Sequence, residues 1–89
     1  MRRLALHTRV GKELSGLPVK PFRQIMIAIL ELLDEPFPHY SRPLSGWPFF
    51  RIEVGEYRVI YEADGETVSV LAVGKRNDGE IYRRLNRKM

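Results

Sequence analysis

The sequence predicts an α+β domain in which an N-terminal strand and two helices pack on one face of a largely antiparallel four-stranded sheet. Two observations carry this prediction. From residue 47 to residue 74, apolar and polar side chains alternate with period two, and two glycine-containing turns interrupt the alternation. Ahead of this stretch, residues 22–33 place apolar side chains three and four apart, as an amphipathic helix does. The 89 residues suffice for one domain, spanning residues 1–89.

The first predicted elements are a strand over residues 2–7 and a short helix. Leu4 and Leu6 alternate with polar or small neighbours in the strand. Thr8 is predicted to be the N-cap of the helix, whose apolar face includes Val10 and Leu14. The helix is expected to end at the Gly-Leu-Pro sequence of residues 16–18, because proline cannot continue it.

The second helix is predicted to have Pro21 in its first turn and to end before Pro36. Its apolar stripe consists of Phe22, Ile25, Met26, Ile29, Leu30 and Leu33. Further prolines at 38, 43 and 48 favour an extended connection over residues 35–47.

Three strands are predicted to follow, over residues 47–54, 57–63 and 67–74. A type II′ turn at residues 55–56, with glycine first, places Glu53 opposite Arg58. The Asp-Gly pair at 64–65 indicates a type I′ turn that places Tyr61 opposite Val68. The helices are expected to cover one face of this sheet, and the other face is open for a ligand. The side chains predicted on that open face are Arg51, Glu53, Arg58, Ile60, Ser69 and Leu71.

Composition argues against several classes of function. The chain has no cysteine, so disulfide and thiolate chemistry are excluded and a cytoplasmic location is compatible. The longest apolar run, residues 25–30, is too short to span a bilayer, and no membrane partner is predicted. His7 and His39 are far apart and lack neighbouring acidic ligands, so the sequence predicts neither a metal site nor a cofactor.

Charge is segregated along the chain. Residues 1–30 carry a net charge of +5, residues 31–74 a net charge of −5, and residues 75–89 a net charge of +4. Basic ends and a sequence pI near 9.8 fit a partner rich in phosphate, although a solvated surface would have the same composition. Residues 80–88 are compatible with either a short basic helix or a tail.

Three local patterns resemble the RelE side of the RelE/ParE toxin superfamily. The first is Pro-Leu-Ser-Gly at residues 43–46, which leads into the sheet. The second is Arg-x-x-x-Gly-x-Tyr-Arg-Val-x-Tyr over residues 51–61. The third is Val-Gly-Lys-Arg at 73–76, with Ile-Tyr at 81–82. Their order, together with the predicted order of strand, helices and sheet, extends the resemblance over the whole chain.

This resemblance implies a RelE-like toxin of a type II toxin–antitoxin system. Such a toxin is a metal-independent endoribonuclease, an mRNA interferase that cuts mRNA on the ribosome and thereby inhibits translation. Its implied partners are a cognate antitoxin, which holds it inactive, and mRNA together with ribosomal RNA. The family's catalytic positions correspond here to Arg51, Arg58, Arg76 and Tyr82. Further RNA contacts are expected from Lys75, Arg83, Arg84 and, by base stacking, Phe49.

The chemistry of RNA cleavage suggests roles for these residues. The reaction requires deprotonation of the 2′-hydroxyl, stabilisation of the phosphate charge and protonation of the leaving 5′-oxygen. Arg58 suits phosphate binding because its planar fork can hold two non-bridging oxygens. Arg76 matches the leaving-group side, where a guanidinium is a poor proton donor unless a water shares the task. Tyr82 could stack on a base or orient the phosphate.

Glu53 departs from the pattern of the family, which commonly has lysine or arginine at this position. A carboxylate could act as the general base, although a neighbouring Arg58 would lower its pKa and weaken it as a base. It could equally form a cross-strand ion pair with Arg58 that has no catalytic purpose. Both interpretations are open at the level of sequence.

Two other functions stay open. A ParE-like member would poison DNA gyrase through protein–protein contacts and would need no catalytic face. A catalytically inactive member would only form a complex with its partner, and Glu53 is the main argument for it. The retained Arg51, Arg58, Arg76 and Tyr82 favour the nuclease.

Overall fold

The computed structural model describes residues 1–76, which form two helices and a five-stranded mixed sheet. The elements in chain order are β1 (Arg3–Leu6), α1 (Val10–Ser15), α2 (Val19–Leu32), β2 (Arg42–Pro43), β3 (Phe50–Val54), β4 (Tyr57–Ala63) and β5 (Thr67–Lys75). The strand order is β1-β5-β4-β3-β2, with β1 parallel to β5 and the other pairs antiparallel. The α+β prediction is confirmed, and the two-residue β2 is the strand that the sequence did not predict.

Both helices pack on the same face of the sheet and bury the main core against it. Ile25, Ile29 and Leu32 of α2 are fully buried, and Val10 and Leu14 of α1 join them. Burying each such aliphatic side chain contributes about 1.5–3 kcal/mol to the stability of the fold. Neither helix in the described part of the chain has the length and apolarity that a bilayer crossing demands.

The helices differ from their prediction in two details. The N-cap of α1 is Arg9 rather than Thr8, and no side chain caps the helix by a hydrogen bond. In α2 the core-facing stripe includes Leu32, whereas Phe22 and Leu30, predicted to be part of it, are 38% and 50% exposed. The apolar residues of α2 extend beyond one face, so spacing alone could not show which of them the sheet covers.

The hairpin of β3 and β4 has the predicted register. Glu53 lies opposite Arg58, and Val54 lies opposite Tyr57 across the turn. Gly55 has a φ of +61°. Every positive φ within residues 1–76 belongs to a glycine, so Glu56, the second central residue of the turn, has a negative φ. This combination fits a type II′ turn, in which only the first central residue requires a positive φ.

The predicted register of β4 and β5 is wrong. Tyr61 lies opposite Val70 rather than Val68, because Asp64 opens the turn and its carboxylate accepts hydrogen bonds from the amides of Glu66 and Thr67 at 2.8 Å. A β-bulge then adds Leu71 to β5. The bulge reverses the alternation of β5, because every residue beyond it points to the opposite face from the one its count along the strand would give.

The face of the sheet opposite the helices, here called the open face, is partly covered by the chain before β3. Leu44 accepts a hydrogen bond from the amide of Trp47, and Gly46 between them has a φ of +81°, as the third residue of a type II turn requires. This turn folds apolar side chains over Ile60, which is fully buried. We call the resulting group the open-face cluster; it contains Leu44, Trp47, Phe49, Ile60, Leu71 and Ala72. Only the remainder of the open face is accessible to a ligand.

Candidate nucleic-acid interface

The accessible part of the open face is built on the hairpin of β3 and β4. Antiparallel partners that lie directly opposite each other point to the same side of a sheet. One row of such partners consists of Glu53, Arg58 and Gly74 on β3, β4 and β5. Since glycine has no side chain, the row leaves space beside Arg58 on the β5 side.

Glu53 lies at the β3 end of this row and contacts two arginines. Nη2 of Arg58 donates a hydrogen bond to Oε2 of Glu53, and Nη1 of Arg76 lies 3.6 Å from Oε1. The Arg58 side chain is only 15% exposed, whereas those of Glu53 and Arg76 are 39% and 54% exposed. The carboxylate therefore sits between two guanidiniums with one of its sides open to solvent.

The arginines also determine the protonation state of Glu53. The hydrogen bond from Arg58 lowers the pKa of this carboxyl below its usual value, and the positive charges of Arg58, Arg76 and Arg51 lower it further. Partial burial acts in the opposite direction without cancelling the effect. Glu53 is consequently ionised at neutral pH and is a weak proton acceptor.

Arg76 reaches this site because of the bulge in β5. With Leu71 inserted, Val73 points to the core and Gly74 to the open face, so Arg76 follows Gly74 on the open side. The amide of Arg76 donates to the carbonyl of Glu56 at 2.9 Å, which ties this end of β5 to the β3–β4 turn. β1 pairs with β5 as far as Val70. Farther along β5, Glu13 of α1 accepts a hydrogen bond from the amide of Val73 at 3.3 Å and so holds this part of β5 in place.

One arginine of the open face was not predicted from the sequence. Arg42 of β2 lies directly opposite Arg51 of β3, so the two side chains are neighbours on the same side of the sheet. A cavity of about 290 Å³ is lined by Tyr40, Arg42, Arg51 and Glu53. Nothing in the sequence indicates this position, because a two-residue strand that includes a proline has no periodicity to detect.

Several predicted contact residues are not brought to the site. Phe49 is 7% exposed and its ring stacks on Trp47 at 5.9 Å, so its surface is already used within the open-face cluster and base stacking is not supported. Lys75 lies opposite Tyr57, on the side of the sheet that faces away from Glu53. Tyr82, Arg83 and Arg84 lie outside the described residues.

The basic N-terminal segment does not extend the site either. Nε of Arg2 donates to the carbonyl of Asp64 at 2.7 Å, and Arg3 pairs with Glu66, both at the end of the sheet remote from Arg76. Lys20 and Arg23 are exposed on α2, which packs on the other face of the sheet. The predicted phosphate-binding surface is therefore limited, within residues 1–76, to the arginines of the open face.

Two helices on one face of a mixed five-stranded sheet form the architecture of RelE-like toxins in the RelE/ParE superfamily. The family profile described as the ParE toxin of the type II toxin–antitoxin system parDE matches residues 4–79. The chain belongs to this family of toxins. No curated protein sequence matches it at a significant level.

Solved structures of RelE toxins are similar to this fold. The archaeal RelE–RelB complex from Pyrococcus horikoshii OT3 contains a chain that is 27% identical, with a TM-score of 0.75 over 85% of this chain and 96% of that chain. The intact RelBE toxin–antitoxin complex of E. coli gives 26% identity and a TM-score of 0.76, covering 88% and 100%. A mutant of the E. coli toxin RelE in the free state gives a TM-score of 0.82 over 99% and 97%, and at 24% identity shows the fold alone.

Proposed function

We propose that this toxin is a metal-independent endoribonuclease that cleaves mRNA on the ribosome. The observation that supports the proposal best is the pair of guanidiniums of Arg58 and Arg76, which converge on a single carboxylate on the open face. Two cations held around one anion form a geometry that also suits a phosphodiester, because planar guanidinium groups recognise carboxylates and phosphates in the same way.

In the proposed reaction, the arginines stabilise charge on the scissile phosphate. The half-buried Arg58 is the more firmly held of the two, so it is assigned to the non-bridging oxygens, whose charge increases in the transition state. Arg76, which is more exposed, is assigned to the leaving 5′-oxygen, where it stabilises negative charge while a water delivers the proton. Arg51 lies on the same face but is not assigned to the scissile phosphate.

Glu53 is proposed to act as the internal partner of these arginines rather than as the general base. In the absence of RNA its carboxylate occupies the place between the guanidiniums that a phosphate would take. A phosphodiester that binds there must displace the carboxylate or share the arginines with it. Glu53 would then moderate the affinity of the site for RNA.

A second candidate function is poisoning of DNA gyrase, which the match to the ParE toxin profile favours. The two functions are separated by assaying the purified toxin for mRNA cleavage on programmed ribosomes and for inhibition of gyrase supercoiling. We expect cleavage without gyrase inhibition, and we expect Arg58→Ala to abolish it. Gyrase inhibition that persists in Arg58→Ala would instead establish the ParE-like activity, and absence of both activities would indicate a catalytically inactive member.

The cognate antitoxin is proposed to dock an amphipathic helix on the exposed side of α2. Positions 19, 23, 27 and 30 form one stripe of this helix, and Val19, Ile27 and Leu30 on it are 67%, 59% and 50% exposed. Exposed Lys20 and Arg23 favour an acidic partner. Ile27→Glu should weaken antitoxin binding, measured by calorimetry, by about tenfold or more. Unchanged affinity would place the antitoxin elsewhere, and Glu53→Gln serves as a control on the other face.

A further inference from the structure

Arg42 and Arg51 are two like charges held side by side. They lie directly opposite each other on β2 and β3, where Cβ atoms are about 4.5–5.5 Å apart and like charges destabilise the pair. The ion pairs within residues 1–76 involve neither Arg42 nor Arg51. An arrangement of this kind becomes favourable when an anion binds between the two cations.

The position of Arg42 is fixed by its own loop. Its Nη1 donates to the carbonyls of His39 and Ser41 at 2.8 and 2.9 Å. The loop is itself closed by Ser41, whose amide and hydroxyl both donate to the carbonyl of Pro38, at 2.9 and 2.8 Å. These two bonds of Nη1 leave the N–H groups of Nε and Nη2 for a ligand, since a guanidinium has five donors in all. The guanidinium is thus oriented by neutral carbonyl groups, which leave its charge uncompensated.

The cavity beside these arginines is continuous with the site around Glu53. Tyr40, Arg42, Arg51 and Glu53 line its volume of about 290 Å³, slightly below the roughly 300–1,000 Å³ of small-molecule sites. Arg51 and Arg58 are diagonal neighbours across β3 and β4, a separation of about 7–8 Å. This separation is of the order of one nucleotide step along a single strand, so one RNA strand can contact both places.

We propose that Arg42 and Arg51 form a second phosphate subsite, which binds the backbone phosphate adjacent to the one at Arg58 and Arg76. The subsite rests on the proposed function in that its ligand is the RNA substrate. It positions the strand and takes no part in bond cleavage. Its effect should therefore fall on substrate binding and leave the rate at saturation unchanged.

The test compares Arg42→Ala with Arg23→Ala, which removes the same charge from the exposed side of α2. Binding of a short single-stranded RNA, made uncleavable by a 2′-deoxy sugar at the scissile position, is measured over a range of salt concentrations. Arg42→Ala should weaken binding about tenfold more than the control. It should also reduce the slope of log affinity against log salt by about 0.7, the value for one lost phosphate contact in a single strand.

Neutral methylphosphonate linkages, placed one at a time along the RNA, identify the phosphate. At one linkage next to the scissile position, the neutral analogue should weaken binding to the wild type but have no further effect on Arg42→Ala. If Arg42→Ala matches Arg23→Ala in affinity and slope, or if no linkage removes its effect, the subsite is refuted. An RNA that the wild type does not bind refutes it as well.

The outcome for the subsite is distinguishable from that for the proposed function. A wild type that binds this RNA through Arg42 but cleaves no mRNA on ribosomes would retain the subsite and reject the nuclease. A wild type that cleaves mRNA, with Arg42→Ala equal to Arg23→Ala in binding and in half-saturating concentration, would retain the nuclease and reject the subsite.

Discussion

Replacing Glu53 with glutamine decides whether this carboxylate is a general base or the internal partner of the arginines. The substitution keeps the shape of the side chain but removes its charge and its ability to accept a proton. If Glu53 is the partner, Arg58 and Arg76 become more available to phosphate, and cleavage should persist or increase. If Glu53 is the base, cleavage should be lost.

The geometry gives different magnitudes for the two outcomes. The Arg58 and Glu53 side chains are 15% and 39% exposed, so solvent screens the pair, and a cross-strand ion pair of this kind contributes about 0.2–1 kcal/mol. Releasing it should raise the affinity for phosphate by at most about fivefold. Removing a general base lowers the rate by about 10²–10⁴-fold. The internal-partner interpretation therefore predicts an increase of at most about fivefold. The general-base interpretation predicts a decrease of at least about a hundredfold.

The assay is single-turnover cleavage of mRNA on a programmed ribosome, with the toxin in excess and its concentration varied. Glu53→Gln should cleave at least as fast as the wild type at saturation. Glu66→Gln, an exposed change at the remote end of the sheet, is the matched control. Glu53→Lys, which restores the residue common in the family, should raise activity and steepen the salt dependence of RNA binding. A folded Glu53→Gln that is a hundredfold slower, beside an active Glu53→Lys, would refute this reasoning and show that a proton acceptor is required.

Arg58→Ala should fold normally, since the residue is on the open face, yet cleave at least about 10²-fold more slowly; normal growth arrest by this variant in cells would exclude the nuclease. The pKa of Glu53 is lowered in the folded state, so the stability it contributes should be present above its usual pKa near 4.5 and be lost as the pH falls through the lower folded value. Urea unfolding of wild type and Glu53→Gln at several pH values checks this, and a difference unchanged in strong acid would contradict it. Tyr61→Phe removes a buried hydroxyl that donates to the carbonyl of Pro36 at 2.6 Å and should lower the free energy of unfolding by about 1–2 kcal/mol. Tyr57→Phe, at a half-buried tyrosine, is the control. Equal unfolding midpoints for the two variants would show that the hydrogen bond to Pro36 does not contribute to stability.

The part of the site that could be predicted from the sequence depends on the residues of a single turn. Gly55 at the first position of a two-residue turn fixes the register of β3 and β4, and that register alone places Glu53 opposite Arg58. The period of two then gives the side of the sheet for every residue from 50 to 61. The predicted pairing of Glu53 with Arg58 was confirmed for this reason.

The features that sequence analysis missed depend on contacts between distant segments. The bulge at Leu71 lies inside the apolar run of residues 70–73, where no residue type signals it. β2 forms only because residues 42 and 43 meet β3, so its pairing of Arg42 with Arg51 has no local sequence signature. Phe49 has the alternation of an open-face residue, but the turn around Gly46 covers it with Trp47. In each case tertiary packing determined the outcome.

The bulge has a consequence for comparing this toxin with its relatives. Residues before Leu71 and residues after it obey opposite rules of orientation, so a strand of the same length that lacked the bulge would exchange the directions of Lys75 and Arg76. Lys75 would then face Glu53, and Arg76 would turn toward the helical side of the sheet. A relative with the same number of residues but a regular strand could align perfectly at its Lys-Arg pair and still present a lysine to the substrate. Functional positions in this strand should therefore be transferred between proteins by strand pairing and not by residue count.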